Sequence, residues 1–540
     1  MRAFLLCLPG LILGTARVSL PAAEPVLTHV HPAGVQAGSS TMVTLVGKFD
    51  PWPCQVHADV PGFSFTARKE AGTFDLTVDP AVPPGPHLLR AVNPEGASTP
   101  VAIMITQEPQ ILEAEANDDF HAPQVMETGT TATVNGCLAQ SDDVDSFAVN
   151  LTKGRTLVAW VEAYVLAAGF DAMLRITDAN GVTLAFNHDG PSCMDPLLIF
   201  TAPADGKYVV QTMGHKYPAA TDIRFQGGQD CVYRLHLTIG PLARHAWPLA
   251  LPAQHTGPIT VEGWNLAGHQ FEKEQLPPFL FPAPVSALSE VTESAPPMTL
   301  AIPSAVSGRI AARGEMDQYL FSAKKGETID LSLSGPDLGS EMDAKVRVLN
   351  QQGGELAAND DANGSTEPHL LWTAPEDGTF TAAVSEVTQQ GGPDYYYRLC
   401  LTNPVPGVKA TVTGHAFKLE SGGSTDIKIS VVLENGFAAP LALGASQLPA
   451  GISAAEVQVP EKGGEVTLVL KAEKTVGPVS QPFQLTLTLT DKANSASWPV
   501  TYRMISTAEN NGVPQGYRKL LINETASLWL TVRSPAPPAP

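Results

Sequence analysis

The chain is 540 residues long and 44% hydrophobic, with 54 acidic residues against 33 basic ones and a formal net charge of -21. At roughly 100 to 200 residues per domain this length divides into three to five separately cored domains, and so acidic a surface argues against nucleic acid or anionic membrane as partners. Six cysteines in the whole chain exclude a disulfide-dense scaffold.

Met1 and Arg2 precede an apolar run from Ala3 to Leu13, with small-residue cleavage options at Gly14-Thr15-Ala16 and at Ala22-Ala23. This is the pattern of a secretory signal peptide, so residues 1–23 are expected to be removed and the chain to be secreted, periplasmic or held at the cell surface. Cys7 follows Phe4-Leu5-Leu6 rather than small residues, which does not suit a lipid anchor. Removal takes two arginines and no acid, so 31 basic residues face 54 acidic ones, a balance of -23. No later segment has the ~20 apolar residues of a transmembrane span, and the Pro-rich end from Ser534 to Pro540 is no anchor. Cys54, Cys137, Cys193, Cys231 and Cys400 remain, an odd number that leaves at least one unpaired.

Residues 25–107 carry Pro32-Ala33-Gly34, an alternating strand from Thr41 to Val46, Gly47, and turn signals at Pro84-Gly85-Pro86-His87 and Asn93-Pro94-Glu95-Gly96. Beyond them lies an internal repeat. Val134-Asn135-Gly136 matches Val306-Ser307-Gly308, Asp145-Ser146-Phe147 matches Asp317-Gln318-Tyr319, and Asn187-His188-Asp189 matches Asn359-Asp360-Asp361, each at an offset of 172. Thr201-Ala202-Pro203-Ala204-Asp205-Gly206 matches Thr373-Ala374-Pro375-Glu376-Asp377-Gly378 at the same offset, after which the second copy is eight residues shorter and Tyr233-Arg234-Leu235 meets Tyr397-Arg398-Leu399. Within each copy Leu174 and Ile176, or Val346 and Val348, alternate with polar neighbours, and Asp178-Ala179-Asn180-Gly181 supplies a tight turn. Each copy, residues 108–240 and 298–403, therefore predicts a sandwich of about 100 residues. Residues 241–297 hold a short strand fragment around Gly257 to Leu266 and a Pro-rich stretch from Leu276 to Pro297, too short for a full sandwich. Residues 405–533 return to alternating strands, with a turn at Leu448-Pro449-Ala450-Gly451-Ile452.

The succession Asn117-Asp118-Asp119, Gly136, Asp145-x-Phe147, Lys153-Gly154, Asp171, Asn187-x-Asp189, Pro203-Ala204-Asp205-Gly206-x-Tyr208 and Tyr233-x-Leu235 resembles the bacterial pre-peptidase C-terminal domain, itself similar to the collagen-binding domain of clostridial collagenases. The likeness covers residues 111–240 and, less completely, 298–403. Residues 25–107 resemble the IPT/TIG immunoglobulin-like fold, 241–297 a part of it, and 405–533 another immunoglobulin-like domain. The expected fold class is all-β: a multidomain chain of β-sandwiches, two jelly-roll-like ones in the middle flanked by Ig-like domains.

Glu113, Glu115 and Asn117 stand two apart, so an extended segment would present three side-chain oxygens on one face, with Asp118, Asp142 and Asp145 close by in sequence. The pattern fits either solvated acids of a linker and a turn, or a shell for a hard cation such as calcium, which takes six to eight oxygens. The resemblance implies the second, with Glu113, Glu115, Asn117, Asp118, Asp142 and Asp145 as calcium ligands in the first copy only. The offset sets Val285, Ala287, Ser289 and Glu290 against the first four and Gly314 against Asp142, which leaves the second copy Asp317 with a displaced Glu290 or Glu293.

Asn359-Asp360-Asp361-Ala362-Asn363-Gly364 has no bidentate acid at calcium-loop distance and reads as a plain loop. His29 and His31 lack a third nitrogen or sulfur ligand nearby in sequence. Cys193 and Cys231 could close a bridge in the first copy, with Cys137 competing for either partner. Tyr395, Tyr396 and Tyr397 form the most visible aromatic cluster, alternation setting Tyr396 on the opposite face from the other two. No His-Glu-x-x-His and no Gly-x-Ser-x-Gly occurs, and β domains claim every long segment. The expectation is a non-enzymatic binding, adhesion or scaffold protein that meets an extracellular protein or polysaccharide. The alternatives are a structural spacer without a ligand and an accessory component of a secreted peptidase system.

Overall fold

Alternation of inward apolar and outward polar side chains builds this chain strand by strand. In Ser424–Glu434, Ile427, Ile429 and Val431 are buried while Asp426, Lys428 and Ser430 are exposed, as a two-residue side-chain period requires of a half-buried strand. A computed structural model describes residues 23–534, apart from 127–130, 191–192, 217–220, 222–223, 255–256, 282, 295–296, 363–364, 492–495 and 507–519. Residues 1–22 of the expected signal peptide and the Pro-rich end beyond Ser534 lie outside this description. The protein is all-β, a succession of β-sandwiches; among the described residues the only helical turns are three of 3-10 type.

Residues 110–238 form two five-stranded sheets. One runs, in spatial order, Gln110–Leu112, Thr131–Cys137, Val232–Thr238, Thr156–Glu162, Leu197–Thr201; the other runs Gln124–Val125, Asp145–Leu151, Gly206–Lys216, Phe170–Thr177, Thr183–Asn187. Phe147, Leu157, Phe170, Leu174, Val210 and Leu235 fill the space between them. Residues 289–402 repeat this order strand for strand, from Ser289–Thr292 and Ser304–Arg309 in one sheet to Ala344–Leu349 and Glu355–Asn359 in the other. The expected hairpin at Asp178 is present: its Oδ1 accepts from the amides of Asn180 and Val182, and Gly181 takes the positive φ of 82° that the turn requires.

Residues 26–106 form a four-stranded and a five-stranded sheet around Val43, Leu45, Phe74, Leu76 and Ile103. Residues 407–533 form two six-stranded sheets around Ile427, Leu468, Phe483, Leu485 and Leu530. Between the two copies, Leu242–Trp247, Ile259–Trp264 and Gln270–Phe271 make a small sheet, and Leu251–Pro252 pairs parallel with Val285–Ser286. This piece reproduces the opening of the first domain. Val26–His31 pairs Ser40–Lys48 with a register break between Leu27 and His29, and Leu242–Trp247 pairs Ile259–Trp264 with its break between Ala243 and His245, 216 residues on in each case. Both sit on the sandwich that follows: Gly34 donates to Asn135 Oδ1 at 2.7 Å, and Leu249 donates to Ser307 Oγ at 2.9 Å. The recurring unit is thus larger than one sandwich.

Candidate metal centre

The first sandwich builds its acidic site where a strand stops. Gln110–Leu112 pairs parallel with Thr133–Asn135, and Glu113 is the last residue held by that strand: its amide donates to Asn135 O at 3.0 Å and its Oε2 accepts from the Cys137 amide at 2.8 Å. The chain then leaves the sheet. Residues 115–123 are not the extended segment expected from the alternating acids but a loop, closed at its ends by Gln124, which accepts from the Ala114 amide and donates to Leu112 O. Asn117 is folded inward, 1% exposed, with Nδ2 donating to Glu113 Oε1 at 3.2 Å and its carbonyl accepting from the Ser146 amide at 3.1 Å.

Opposite this loop comes the strand Asp145–Leu151 and the turn before it. One carboxylate oxygen from each of Glu115, Asp118, Asp143 and Asp145 lies within 4.8 Å of all the others. Of the six expected ligands the structure brings Glu115, Asp118 and Asp145 into one group and sets Glu113 and Asn117 beside it. Asp142 lies elsewhere: with φ at 68° it exchanges hydrogen bonds with Phe225, its amide donating to Phe225 O and its Oδ1 accepting from Phe225 N. Asp143 takes the place, and its Oδ2 accepts from the Ala139 amide at 2.6 Å. Parity was the missed signal, since in extended chain positions 143 and 145 share a face and 142 does not.

Two further residues hold Asp145. Tyr233 is fully buried and its hydroxyl donates to Asp145 Oδ2 at 2.6 Å. The hydroxyl end of its ring lies over Gly136, directly across the strand pair, where an added Cβ would stand 2.2 Å from it. That explains the glycine: only a missing side chain lets the tyrosine reach the acid. Gly308 and Tyr397 repeat the arrangement in the second copy, with Tyr397 donating to Asp317 at 2.6 Å.

The site is short of positive charge and of donors. Asn117 Oδ1, Asp143 Oδ1 and Asp145 Oδ1 are buried without a hydrogen-bond partner, a costly state for polar oxygens in a folded interior. Burial, then the Glu113 carboxyl, pushes Asp145 far above the carboxylate range. Burial raises Glu115, with Glu113 and Asp118 adding to it, and burial raises Asp143, with Asp118 and Glu115 adding to it. Acids that crowd one another in this way need either protons or a cation. Four carboxylates and one amide oxygen, with no nitrogen or sulfur ligand in the group, suit a hard divalent ion, and calcium tolerates the irregular geometry that a loop and a strand supply.

No protein-family model and no curated protein sequence matches the chain. Among solved structures it is similar to the pre-peptidase C-terminal domain of a collagenase from Bacillus anthracis, at 14% identity over 22% of this chain and 99% of that one, with a TM-score of 0.17. It is also similar to the N-terminal eight Ig domains of Down syndrome cell adhesion molecule, at 8% identity over 94% of this chain and 60% of that one, with a TM-score of 0.15.

The second copy aligns differently at its entry than the offset of 172 predicts. Glu293, not Val285, stands where Glu113 does: its amide donates to Ser307 O and its Oε2 accepts from the Arg309 amide. The parallel strand that follows begins at Met298, opposite Tyr319, as Gln124 begins opposite Phe147. The connection is therefore shorter, and the stretch that carries Glu115, Asn117 and Asp118 has no counterpart. Among the described residues only the first copy gathers three or more possible metal-binding side chains.

The remaining candidates resolve into structural roles. In the 359–364 loop, Asn359 Oδ1 accepts from the His369 amide and Ala362 pairs with Ser365, while positions 363 and 364 lie outside the described residues. His29 Nε2 meets Ala167 O at 3.0 Å. Neither Cys193 with Cys231 nor Cys137 with either of them forms a bridge: all five described cysteines are free, with Cys231 Sγ directed at Asp230 and Cys137 Sγ at Gly228 O. Tyr396 and Tyr397 are both fully buried, Tyr397 in the sandwich core and Tyr396 against Leu249 and Trp247 of the preceding piece, which leaves Tyr395, partly buried against the core, as the one ring of the cluster with an exposed part.

Proposed function

We propose that the protein is a secreted, non-catalytic binding or scaffold protein whose first central sandwich is stabilised by calcium and whose sandwich surfaces meet an extracellular protein or polysaccharide. The supporting observation is the group of Glu115, Asp118, Asp143 and Asp145 beside three buried oxygens that have no protein partner. In the reading proposed here those four carboxylates and Asn117 hold the ion, and water or main-chain oxygens complete its shell. The ion ties the entry loop to the strand that starts at Asp145, and a ligand that binds only the folded form adds stability as RT ln(1 + [L]/Kd). An all-oxygen group favours such a structural role over zinc-type catalysis, which uses nitrogen or sulfur ligands and an open position.

Calorimetric titration of the full chain with calcium, with magnesium as comparison and a thermal melt in chelator, tests the metal. Binding of calcium well ahead of magnesium and a lowered melt in chelator are expected; neither heat nor a shift in the melt would end the proposal. An array of collagens and extracellular glycans tests the binding role, because a mere spacer retains nothing above background.

A further inference from the structure

The first and last domains touch, so the chain closes on itself. Arg90, 2% exposed, reaches out of the strand Gly85–Asn93 and donates to two carbonyls of the last domain, His415 O and Ser527 O, both at 2.9 Å. Asn523 donates back to Pro86 O at 2.7 Å. Trp529 is buried against Val92 and Ala97, with the His57 ring 5.2 Å from its own. Arg533 donates to Glu95 O at 2.6 Å, and Lys418 pairs with Glu24.

Two histidines lie inside this contact, and both face Arg90. His57 sits across the strand pair from Arg90, with its Nε2 3.4 Å from Ser527 Oγ. His415 has its carbonyl capped by Arg90, its ring 5.4 Å from Tyr502 and its Nδ1 buried without a partner. The charged and titratable groups around them are Arg90 and Lys418, with Asp59 near His57, bonded to Asn523 and 3.5 Å from the buried His87 ring, and Glu24 already engaged by Lys418. Arg90 meets carbonyls at this contact, so protonated imidazoles would add positive charge to a buried guanidinium.

We propose that the contact between the first and last domains is a pH-gated clasp, closed at neutral pH and opened when His415 and His57 take protons beside Arg90. Burial, with Arg90 next, lowers both imidazoles, His415 to about 4. Because the closed-state value is depressed, the clasp keeps its full strength above the ordinary histidine value near 6.5 and loses it as pH falls toward 4. Between neutrality and pH ~5, His415 alone shifts the balance toward the open form on the order of tenfold.

Small-angle scattering of the full chain, followed from neutral to mildly acid pH with far-ultraviolet circular dichroism alongside, tests this. The maximum dimension is expected to grow on acidification with the dichroism unchanged, and a His57→Gln/His415→Gln variant to stay closed over the same range. A dimension independent of pH, or equal expansion of variant and wild type, overturns the proposal. If the double variant does not fold, amide exchange of the wild type decides: acid-induced loss of protection confined to the strands carrying His57, Arg90 and Trp529 supports the clasp, and uniform or absent loss overturns it.

Discussion

Asp145→Asn separates the cost of an empty site from the benefit of a filled one. The substitution keeps the volume, leaves the Tyr233 hydroxyl an oxygen to donate to, and puts a permanently neutral amide at a fully buried position where, without calcium, the carboxyl has to hold a proton. Without calcium, wild type carries an unpartnered buried Asp145 Oδ1 next to Glu113, and each such oxygen costs ~1–3 kcal/mol. Relief of that crowding leaves the variant as stable as wild type in chelator, or more stable by about 1 kcal/mol. With calcium the sign reverses, since loss of a charged ligand is expected to cost at least ~tenfold in affinity, or ~1.4 kcal/mol. Global melts of a multidomain chain blend several transitions, so the assay is amide exchange read on Thr131–Cys137 and Asp145–Leu151, with and without calcium. The reasoning fails if wild type shows the same protection in both conditions, or if the variant loses as much in chelator as in calcium.

Gly136→Ala and Gly308→Ala form a matched pair. Each sets a Cβ 2.2–2.5 Å from the buried tyrosine across the strand, an overpacking worth ~1–3 kcal/mol, yet only Gly136→Ala should weaken calcium binding, as titration of both variants will show. Glu162→Gln leaves Arg234, 1% exposed, without its carboxylate, and breaking a buried pair in this way costs ~3–5 kcal/mol in a chemical denaturation experiment. Burial opposes the charge on Glu162, but Arg234 and His236 outweigh it and hold the group at about 2. The stability it contributes is therefore complete above the ordinary glutamate value and is lost as pH falls from ~4.5 toward 2, so wild type and Glu162→Gln should converge in acid. Calcium should bind with a stoichiometry of one per chain, and Asp317→Asn should leave that number unchanged.

The candidate site was legible in part, and the reason lies in the kind of order each residue obeys. Glu115, Asp118 and Asp145 are near neighbours in sequence, with only the two strands Gln124–Val125 and Thr131–Cys137 between Asp118 and Asp145, so spacing brought them together on paper. Asp143 follows the same two-residue parity as Asp145, and attention to that parity would have preferred it to Asp142. Asn117 enters the site by a loop turning inward, which no alternation describes. Tyr233 is 88 residues from Asp145, and only the strand pairing across Gly136 places the two together. At the entry of the second copy, fixed-offset alignment set Val285 where strand register sets Glu293, because hydrogen bonds to Ser307 and Arg309 decide the register and an intervening deletion does not disturb them.

By itself the sequence determined the all-β class, the duplicated sandwich and the turns between strands, because side-chain alternation and the backbone freedom of Gly and Asn act over a few residues. It also marked Gly136 and Gly308 as equivalent, before any tyrosine explained them. Tertiary structure alone decided which acids converge, that Cys193 and Cys231 stay apart, that Tyr396 faces a neighbouring piece, and that Arg90 meets His415 across 325 residues. Those outcomes depend on where whole sheets come to rest, and that is set by the summed burial of many apolar side chains rather than by any local pattern.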